Sequence, residues 1–416
     1  MKKKNIILFL LMALPTLLLT SCLKDQEDLF TESASQRTTT YLAKAKKVLT
    51  SSENGWLLNY YPDREQSYGG TPFTMKFTDE KVTVACAELT EDPTYTVEST
   101  YILNNEDGPV LMFDTYNGLA HYFATPSGSS GAGGYEAYDG DFIFIILNIS
   151  EDENTITLKG NRSGNIMYMH RLTGSATDYL AKAFETSENM PTNYTFQSDG
   201  KTVKVALKGG RASFTGENID VDQAYIYTDK GIEFYEPVDI NGVVFDGILN
   251  GGEAATTSSI GETPVQMAAI FPPINEIFIG ADWYIAYKNQ SDYAKTFFDA
   301  AIAGSTSEGE VIGVMAFTQD NGHFVLYFTS GRYAGMIAFD VELIGENQIK
   351  MTYNESNSNG NGTWYYKNAG YDKVVELLSH TYQLEPNSKV RPTVLKMVDT
   401  ENPANTLTVQ SAGIGF

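Results

Sequence analysis

Short segments of alternating polarity recur along most of this chain and constrain its fold more than any other feature. Residues 73–77 and 81–85, for example, place apolar and polar side chains in turn, and turn-forming residues separate the two runs. Successive side chains of a β-strand point to opposite faces, so this pattern is typical of half-buried strands. Closely spaced turn signals favour antiparallel neighbours. We therefore predict a mainly β (α+β) fold, with antiparallel meanders that form barrels or sandwiches.

A few amphipathic helices are expected at the periphery of these sheets. Residues 33–55 show helical spacing of apolar side chains, and Ser33 with Gln36 fits a capping box at the start. Similar spacing occurs in residues 175–185, 291–304 and 371–382. Short amphipathic helices usually dock on a sheet through their apolar face.

Three local predictions concern turns and loops. Asn117-Gly118 predicts a tight hairpin, followed by a strand over residues 119–123. Residues 362–367 are predicted as a strand because aromatic residues dominate them. The polar stretch 251–264 is predicted as a loop and an internal linker.

The first 21 residues have the proportions of a secretory signal peptide. Three lysines precede the apolar residues 6–19, a stretch too short for a transmembrane helix of about 20 residues. It ends in Leu-Thr-Ser before Cys22, which looks like a bacterial lipobox, a signal in which the cysteine is acylated and becomes the mature N-terminus. Several acyl chains form a stable membrane anchor. We expect lipidation of Cys22; the alternative is a buried or disulfide-bonded cysteine.

Residues 22–32 form an acidic tether behind this cysteine. Lys24 and Asp25, then Glu27 and Asp28, resemble the Lys-Asp/Glu export tag of lipoproteins displayed on the outer face of the outer membrane in some Gram-negative lineages. We therefore expect a lipid-anchored protein of the outer membrane, exposed at the cell surface. The periplasmic face of that membrane is the alternative, since a charged tether also holds a domain away from lipid.

The charge balance limits the possible partners. The chain has 29 basic and 52 acidic residues, a net charge of −23, and removal of residues 1–21 leaves 26 basic against 52 acidic residues, or −26. Such a surface repels phosphate backbones, so nucleic acid is not an expected partner. Only Cys86 remains besides Cys22, and it is expected to be a small core residue.

No catalytic residue, metal site or cofactor is predicted. The four histidines (His121, His170, His323 and His380) lack zinc-hydrolase spacing, and the sequence has no nucleophile elbow or phosphate-binding loop. Distant carboxylates could still meet in space as acid and base, so a hydrolase with an unrecognised site stays an alternative. A lipocalin-like carrier with an apolar interior is a second alternative.

A ligand-contacting rim is predicted around one polar segment. Asp114, Tyr116, Asn117 and His121 lie close together in sequence, beside the glycine-rich stretch 127–141. Loops on a rigid sheet commonly carry binding residues. The alternative for His121 is a packed or solvated strand residue.

Aromatic side chains add further candidates because their faces can stack on sugar rings. Seven aromatic residues could take this role: Trp56, Trp283, Trp364, Tyr60, Tyr61, Tyr365 and Tyr366. Of these, Trp56 and Tyr60 join the predicted ligand-binding residues. Strand cores also use aromatic residues heavily, which is the other interpretation.

The domain organisation follows from these features. We predict a signal peptide (1–21), a lipid tether (22–32), an N-terminal helix plus β-meander domain (33–172) and a C-terminal β-rich domain (173–416), with a further division near 251–280 as an option.

Six stretches of the N-terminal half carry a family likeness: CLKDQEDLF, SASQR, KKVLTSSENGWLLNYYP and YGGTPFTMKF, followed by DTYNGLAHYFATPS and GDFIFII. Together they resemble domain-of-unknown-function family 4302. Members look like secreted lipoproteins that accompany outer-membrane transporter and lid-lipoprotein pairs of the starch-utilisation type, often beside a zinc metallohydrolase lipoprotein. The family has no assigned activity, so it supplies no site residue. The resemblance implies an accessory in nutrient capture, with a transporter and its lid lipoprotein as partners. We expect this accessory to be a non-enzymatic binding component whose ligand is a glycan or a peptide.

Overall fold

A computed structural model of the chain describes residues 33–105, 108–126 and 136–416. Contacts divide the chain into two units. The first takes in residues up to Leu58, Thr74–Ala85 and Thr96–Ala176, and the second takes in Asn59–Phe73, Cys86–Tyr95 and Thr177–Phe416. The fold is mostly antiparallel β with a few helices, which confirms the predicted fold class.

The described residues form seven α-helices and 25 strands. The helices are α1 Ala34–Thr50, α2 Ala87–Thr90, α3 Ala176–Asn189, α4 Ile274–Gly280, α5 Asp292–Ser307, α6 Gly360–Asn368 and α7 Tyr371–Leu378. The strands are β1 Trp56–Tyr60, β2 Thr71–Phe77, β3 Lys81–Ala85, β4 Val97–Thr100, β5 Ile102–Asn105, β6 Pro109–Met112, β7 Ile143–Ile149, β8 Thr155–Gly160, β9 Ile166–Arg171, β10 Asn193–Ser198, β11 Lys201–Lys208, β12 Arg211–Gly216, β13 Ile219–Tyr227, β14 Gly231–Ile240, β15 Val243–Leu249, β16 Thr256–Ile260, β17 Gln266–Ala269, β18 Trp283–Ile285, β19 Ile312–Asp320, β20 His323–Ser330, β21 Tyr333–Ile344, β22 Gln348–Asn354, β23 Thr381–Pro386, β24 Val394–Asp399 and β25 Thr406–Gln410. None of these helices is both long enough and apolar enough to cross a bilayer.

The first sheet has nine strands in the order β4-β3-β2-β1-β9-β8-β7-β6-β5. Its two edge strands follow each other in the chain and are separated only by Tyr101, so the sheet curls round until its edges meet at one corner. Helix α1 contacts β5 and β6, and the ammonium of Lys46 lies 4.5 Å from the centre of the Tyr101 ring. The helix therefore covers the corner where unpaired strand edges would otherwise be open.

The predicted capping box fixes the start of α1. The backbone N–H of Gln36 donates to Ser33 Oγ (3.2 Å), and the N–H of Ser33 donates to Gln36 Oε1 (3.1 Å). The helix then buries Ala45, Val48 and Leu49. The backbone N–H groups of Ser33 and Gln36 are thus both paired by side chains within the first turn. Because these partners are close in sequence, the start of the helix could be predicted.

The second sheet is a closed barrel of β10 to β17 in chain order. Strand β11 alternates exposed and buried positions along its length, as expected of a barrel wall with a filled interior. The interior includes Phe196, Phe214 and Phe245; the ring centres of Phe196 and Phe245 lie 5.3 Å apart. Side chains fill this barrel.

The third sheet is a closed barrel of β18 to β25, and four helices, α4 to α7, pack on it. Helix α5 contacts α7, and α6 contacts β21. The apolar faces of α5 and α7 join the barrel residues in one core, which includes Phe298, Ala301, Val374, Leu377 and Leu378. The predicted helical segments at 291–304 and 371–382 are therefore confirmed, although α7 ends at Leu378 and Tyr382 lies on β23.

Three local predictions are wrong. Residues 119–123 form a turn because the side chain of Asn117 accepts the N–H groups of Leu119 and Ala120. Residues 362–367 belong to helix α6, which Asn359 caps by accepting the N–H of Gly362. The polar stretch 251–264 contains β16, which pairs with β15 and β17.

Candidate functional site

The residues predicted for lipidation and export lie outside the described part of the chain. These are Cys22, Lys24, Asp25, Glu27 and Asp28. Their roles stay predictions.

The four residues of the predicted rim do come together in the first unit, but only two of them face solvent. Tyr116 is 71% exposed, and Asp114 is also exposed, with its Oδ1 accepting from Thr100 Oγ1 at 2.6 Å. The Tyr116 ring lies 5.4 Å from the ring of His121. Asn117 and His121 are buried.

Asn117 and His121 hold the turn together. Asn117 Nδ2 donates to the carbonyl of Val97 (3.2 Å) and to Ser99 Oγ (3.1 Å), so this side chain is fully used inside the protein. The imidazole of His121 stacks on Phe142 with a centre-to-centre distance of 4.7 Å. Burial lowers the pKa of His121, so the ring is neutral near pH 7. These two residues therefore hold the turn that follows Tyr116, and the His121 ring also contacts the Tyr116 ring.

Trp56 and Tyr60, the two predicted aromatic contacts, are core residues. Trp56 is fully buried, its Nε1 donates to the carbonyl of Leu49 (2.9 Å), and the Arg171 guanidinium lies 4.6 Å from its ring centre. Tyr60 is buried and meets Phe73 edge to face at 5.5 Å. Neither ring presents a face to a ligand in solution. Cys86 is buried as expected, and burial raises its pKa.

A cleft of about 480 Å³ lies in the second unit, where the second barrel ends and the third begins. One wall is the connection from β17 to α4, residues 269–274. The N–H of Ile270 donates to the carbonyl of Asn193 (2.8 Å), which fixes the start of this wall. Pro272 and Pro273 follow, and their rings restrict the backbone to extended conformations. The wall is therefore rigid before any ligand arrives.

The opposite wall comes from the third barrel. It consists of Glu346 and Asn347 in the β21–β22 turn, with Leu384, Pro386 and Lys389 on or just after β23. The N–H of Leu384 donates to the Asn347 carbonyl at 2.8 Å, so turn and strand are joined.

One buried side chain fastens the two walls together. Asn275 follows the first wall, and its Nδ2 donates to the carbonyls of Gly345 (3.0 Å) and Gln348 (3.1 Å) on either side of the opposite turn. Its own N–H donates to the Glu346 carbonyl (3.3 Å). Asn275 is buried and all its donors are paired. Its hydrogen bonds therefore fix the distance between the two walls of the cleft.

Ile270, Phe271, Pro272 and Pro273 make the first wall apolar, and we call this part of the wall the apolar floor; two opposite charges lie at the edge of the cleft. Ile270 is 45% exposed, and the Lys389 ammonium lies 5.8 Å from the centre of the Phe271 ring. The side chains of Glu346 and Lys389 are exposed, and neither forms an ion pair within the described residues. Apolar contact with a few polar anchors is the usual make-up of a small-ligand site.

The described residues include a close histidine–carboxylate pair, His380 with Asp399, which is a candidate for acid–base chemistry. The described residues contain no cluster of three histidine, cysteine or acidic side chains able to hold a metal. His380 Nδ1 lies 3.1 Å from Asp399 Oδ2, but Asp399 also accepts the N–H groups of Glu401 (2.9 Å) and Asn402 (3.2 Å) and is buried. No described serine, threonine or cysteine side chain bonds to His380. The Asp399 carboxylate therefore stabilises the turn that follows β24, and His380 binds to it there.

Sequence reasoning missed the cleft because its walls lie far apart in the chain. The one local signal is the dipeptide Pro272-Pro273 after Phe271, which lies after the predicted linker 251–264 and inside the region 251–280 where a domain division is an option. Glu346 and Lys389 carry no local signal.

Comparisons with known proteins add the following. No curated protein matches the chain. Matching solved structures include the DNA polymerase III β chain of Streptococcus pneumoniae TIGR4 (12% identity, 91% of this chain and 98% of that chain, TM-score 0.14). The corresponding subunit of Borrelia burgdorferi is 11% identical, with 91% of this chain and 97% of that chain covered and a TM-score of 0.11. The Helicobacter pylori β clamp bound to a DNA ligase peptide is 10% identical, with 90% of this chain and 98% of that chain covered and a TM-score of 0.11. TM-scores this low do not establish a shared fold.

One family model matches residues 26–250, more than half of the chain. The matched range takes in the whole first sheet and most of the second barrel. The chain therefore belongs to the family described as domain of unknown function (DUF4302).

Proposed function

We propose that this protein is an outer-membrane lipoprotein, exposed at the cell surface, that serves a nutrient-uptake system as a non-enzymatic binding component. The observation that carries the binding role is the rigid cleft with an apolar floor and charged edges. A lipobox at Cys22 and the acidic tag behind it support the location. The transporter and lid lipoprotein are proposed partners through the family resemblance.

A peptide is the ligand that this cleft fits best. Ile270, Phe271 and the two prolines offer contact to apolar side chains, whereas Glu346 and Lys389 offer one partner each for an ammonium and a carboxylate. A peptide supplies all three chemical groups at once. A glycan would gain less here because the half-buried Phe271 is the one aromatic ring among the lining residues.

The proposal is tested with the full-length protein in a polyoxyethylene detergent. An array of random decapeptides supplies the probe, and calorimetry with the strongest array peptide supplies the affinity. Ile270→Glu puts an unpaired charge on the apolar floor, and we expect the affinity to fall about tenfold or more. Lys389→Ala removes a charge at the edge, where the expected loss is a few-fold and depends on salt.

Leu147→Glu is the matched control. Leu147 is 49% exposed on β7 of the first unit, close to the 45% of Ile270, and it lies outside the cleft. We expect this variant to bind like the parent. Equal binding by Ile270→Glu and the parent, or an array without any bound peptide, would contradict the proposed peptide site.

A further inference from the structure

A second exposed surface lies on the third barrel, away from the residues that line the cleft. All three tryptophans of the chain are in its described part; Trp56 and Trp283 are buried, whereas Trp364 is 43% exposed. Tyr333 is 40% exposed nearby. We propose that Trp364 and Tyr333 form a platform that binds the pyranose rings of a neutral oligosaccharide. This site goes beyond the proposed peptide cleft and stands on different residues.

The indole of Trp364 is held in place by the helix that carries it. Asn359 Oδ1 accepts the N–H of Gly362 (2.6 Å) at the start of α6 and also the N–H of Met336 (3.0 Å) on β21. The helix is thus fixed to the strand at its first turn. Trp364 then packs edge to face on the buried ring of Tyr365, with centres 5.1 Å apart and planes at 80°. An indole fixed in this way loses little conformational entropy on binding.

Tyr333 begins β21 and is oriented by its neighbour. Arg332 Nη2 donates to the Tyr333 hydroxyl at 2.9 Å, and the guanidinium carbon lies 5.1 Å from the ring centre. The two exposed rings belong to adjacent backbone segments, because Asn361 Nδ2 donates to the Ala334 carbonyl at 2.8 Å. Trp364 is three residues after Asn361, on the same face of the helix.

Two charged side chains, Glu310 and Arg332, contact the residues that carry or support the two exposed rings. The hydroxyl of Tyr365 donates to a carboxylate oxygen of Glu310, and Gly331, which precedes Arg332, passes close to the Glu310 side chain. Burial, with help from Glu310 and Tyr333, raises the pKa of Tyr365 to about 12. The carboxylate of Glu310 and the guanidinium of Arg332 are thus near neighbours of the platform and can accept from and donate to hydroxyl groups.

These features fit a sugar better than a protein partner. A pyranose has an apolar C–H face that stacks on an aromatic ring and a rim of hydroxyls that bond to planar polar side chains. The core of a protein interface is instead depleted of charged residues, whereas here the Arg332 guanidinium lies against the exposed Tyr333 ring and Glu310 binds the Tyr365 hydroxyl beside Trp364. The net charge of −23 favours a neutral glycan over an acidic one.

The test uses tryptophan fluorescence of the full-length protein, because only Trp364 among the three indoles reaches solvent. Iodide quenching is measured without sugar and with maltohexaose, cellohexaose, xylohexaose and chitohexaose as separate probes, in a polyoxyethylene detergent that has no sugar headgroup. We expect at least one hexasaccharide to protect the quenchable emission. Trp364→Phe should remove the quenchable emission itself, which assigns the signal.

Affinity variants complete the test, with binding followed by calorimetry. We expect Trp364→Ala and Tyr333→Ala each to weaken oligosaccharide binding about tenfold or more. Tyr293→Ala is the matched control, since Tyr293 is exposed to a similar extent on α5 of the same barrel, and it should bind like the parent. The proposed sugar platform is wrong if none of the four sugars protects the tryptophan emission from iodide. It is also wrong if Trp364→Ala binds the oligosaccharide as tightly as the parent. Ile270→Glu should leave sugar binding unchanged, so failure of the platform and failure of the peptide cleft are separate results.

Discussion

Glu88 carries a carboxyl group whose protonation depends on folding. It lies on the one-turn helix α2, and its Oε1 atom is buried without a hydrogen-bond partner, although the residue as a whole is only half-buried. Burial raises the pKa of Glu88 to about 8. A buried charge without a partner is costly. The carboxyl group of Glu88 is therefore neutral at pH 7.

This residue makes stability depend on pH in a defined direction. In the unfolded chain Glu88 loses its proton near the ordinary value of 4.5, whereas the folded chain keeps the proton up to a pH of about 8. The folded state binds more protons between these values, so the free energy of unfolding falls as pH rises from about 4.5 to about 8, by up to about 1.4 kcal/mol per pH unit. Glu88→Gln cannot titrate, and we expect it to remove this slope in urea unfolding curves.

The control is Glu91→Gln, which changes an exposed carboxylate at the end of the same helix. Tyr179, Tyr225 and Tyr227 surround Glu88, and burial raises their pKa values above the ordinary value of 10, so they do not titrate in this range. Burial lowers the pKa of His121 and of His170 and raises that of Glu233, so these three groups also contribute, but equally in parent and variant. If the free energy of unfolding changes with pH in the same way for the parent and for Glu88→Gln, the Glu88 carboxyl is hydrated and charged at neutral pH.

Helix α6 shows how a single glycine controls an element. A Cβ added at Gly362 would lie 2.0 Å from the carbonyl oxygen of Met336, so α6 could not stay against β21. We expect Gly362→Ala to lower the free energy of unfolding by about 1–3 kcal/mol and to shift the emission of Trp364 to the red. Thermal unfolding followed by circular dichroism, together with the emission spectrum, measures both effects.

Gly360→Ala is the matched control for that substitution. Gly360 belongs to the same helix, and a Cβ there would meet nothing within 4 Å. Alanine favours a helix over glycine by up to about 1 kcal/mol, so this variant should be as stable as the parent or slightly more stable. If both variants behave alike, the close packing of α6 on β21 does not determine its stability.

The elements that could be predicted are those whose signals are local. The capping box of Ser33 and Gln36 and the alternation of β11 each act within a few residues, and both are present in the structure. Helix α6 was mistaken for a strand because Trp364 and its tyrosine neighbours have high strand propensity, whereas the Asn359 cap and the packing of Gly362 decide the outcome. Tertiary contacts outweighed propensity there.

The candidate sites were less accessible to sequence reasoning. An aromatic residue is equally suited to a core and to a binding surface, so Trp56 and Trp364 could not be told apart until burial was known. The cleft is assembled from residues 269–274, 346–347 and 384–389, which meet because β22 pairs with β23 and Asn275 binds the β21–β22 turn. Such proximity depends on long-range strand pairing, and no short window of sequence contains it.

At the scale of the whole molecule, the sheets leave few strand edges for other chains. Two of the three sheets are closed barrels, and the two edges of the first sheet meet at the Tyr101 corner under α1. Closure removes the unpaired backbone groups that promote aggregation. This suits a protein that we propose to be held at high local density on a membrane, where partners must be recognised through side chains.

The membrane anchor is the prediction that concerns the whole molecule. If Cys22 is acylated, Cys22→Ala should release the protein from the membrane fraction, because the buried acyl chains provide the binding free energy. The strongly acidic body would not remain on an anionic bilayer by itself. Fractionation of cells followed by immunoblotting measures the shift, and retention of Cys22→Ala in the membrane would exclude the lipid as the anchor.

The orientation of the anchored protein is tested separately, because the same lipid can hold it on either face of the outer membrane. Added protease should digest the parent on intact cells if the protein faces outward. Replacement of Lys24, Asp25, Glu27 and Asp28 by alanine removes the proposed export tag but keeps Cys22, so this variant should stay membrane-bound and become resistant to the protease. A soluble periplasmic enzyme monitors the integrity of the cells. A parent that is protected on intact cells would place the protein on the periplasmic face, where it could not capture nutrients before they cross the membrane.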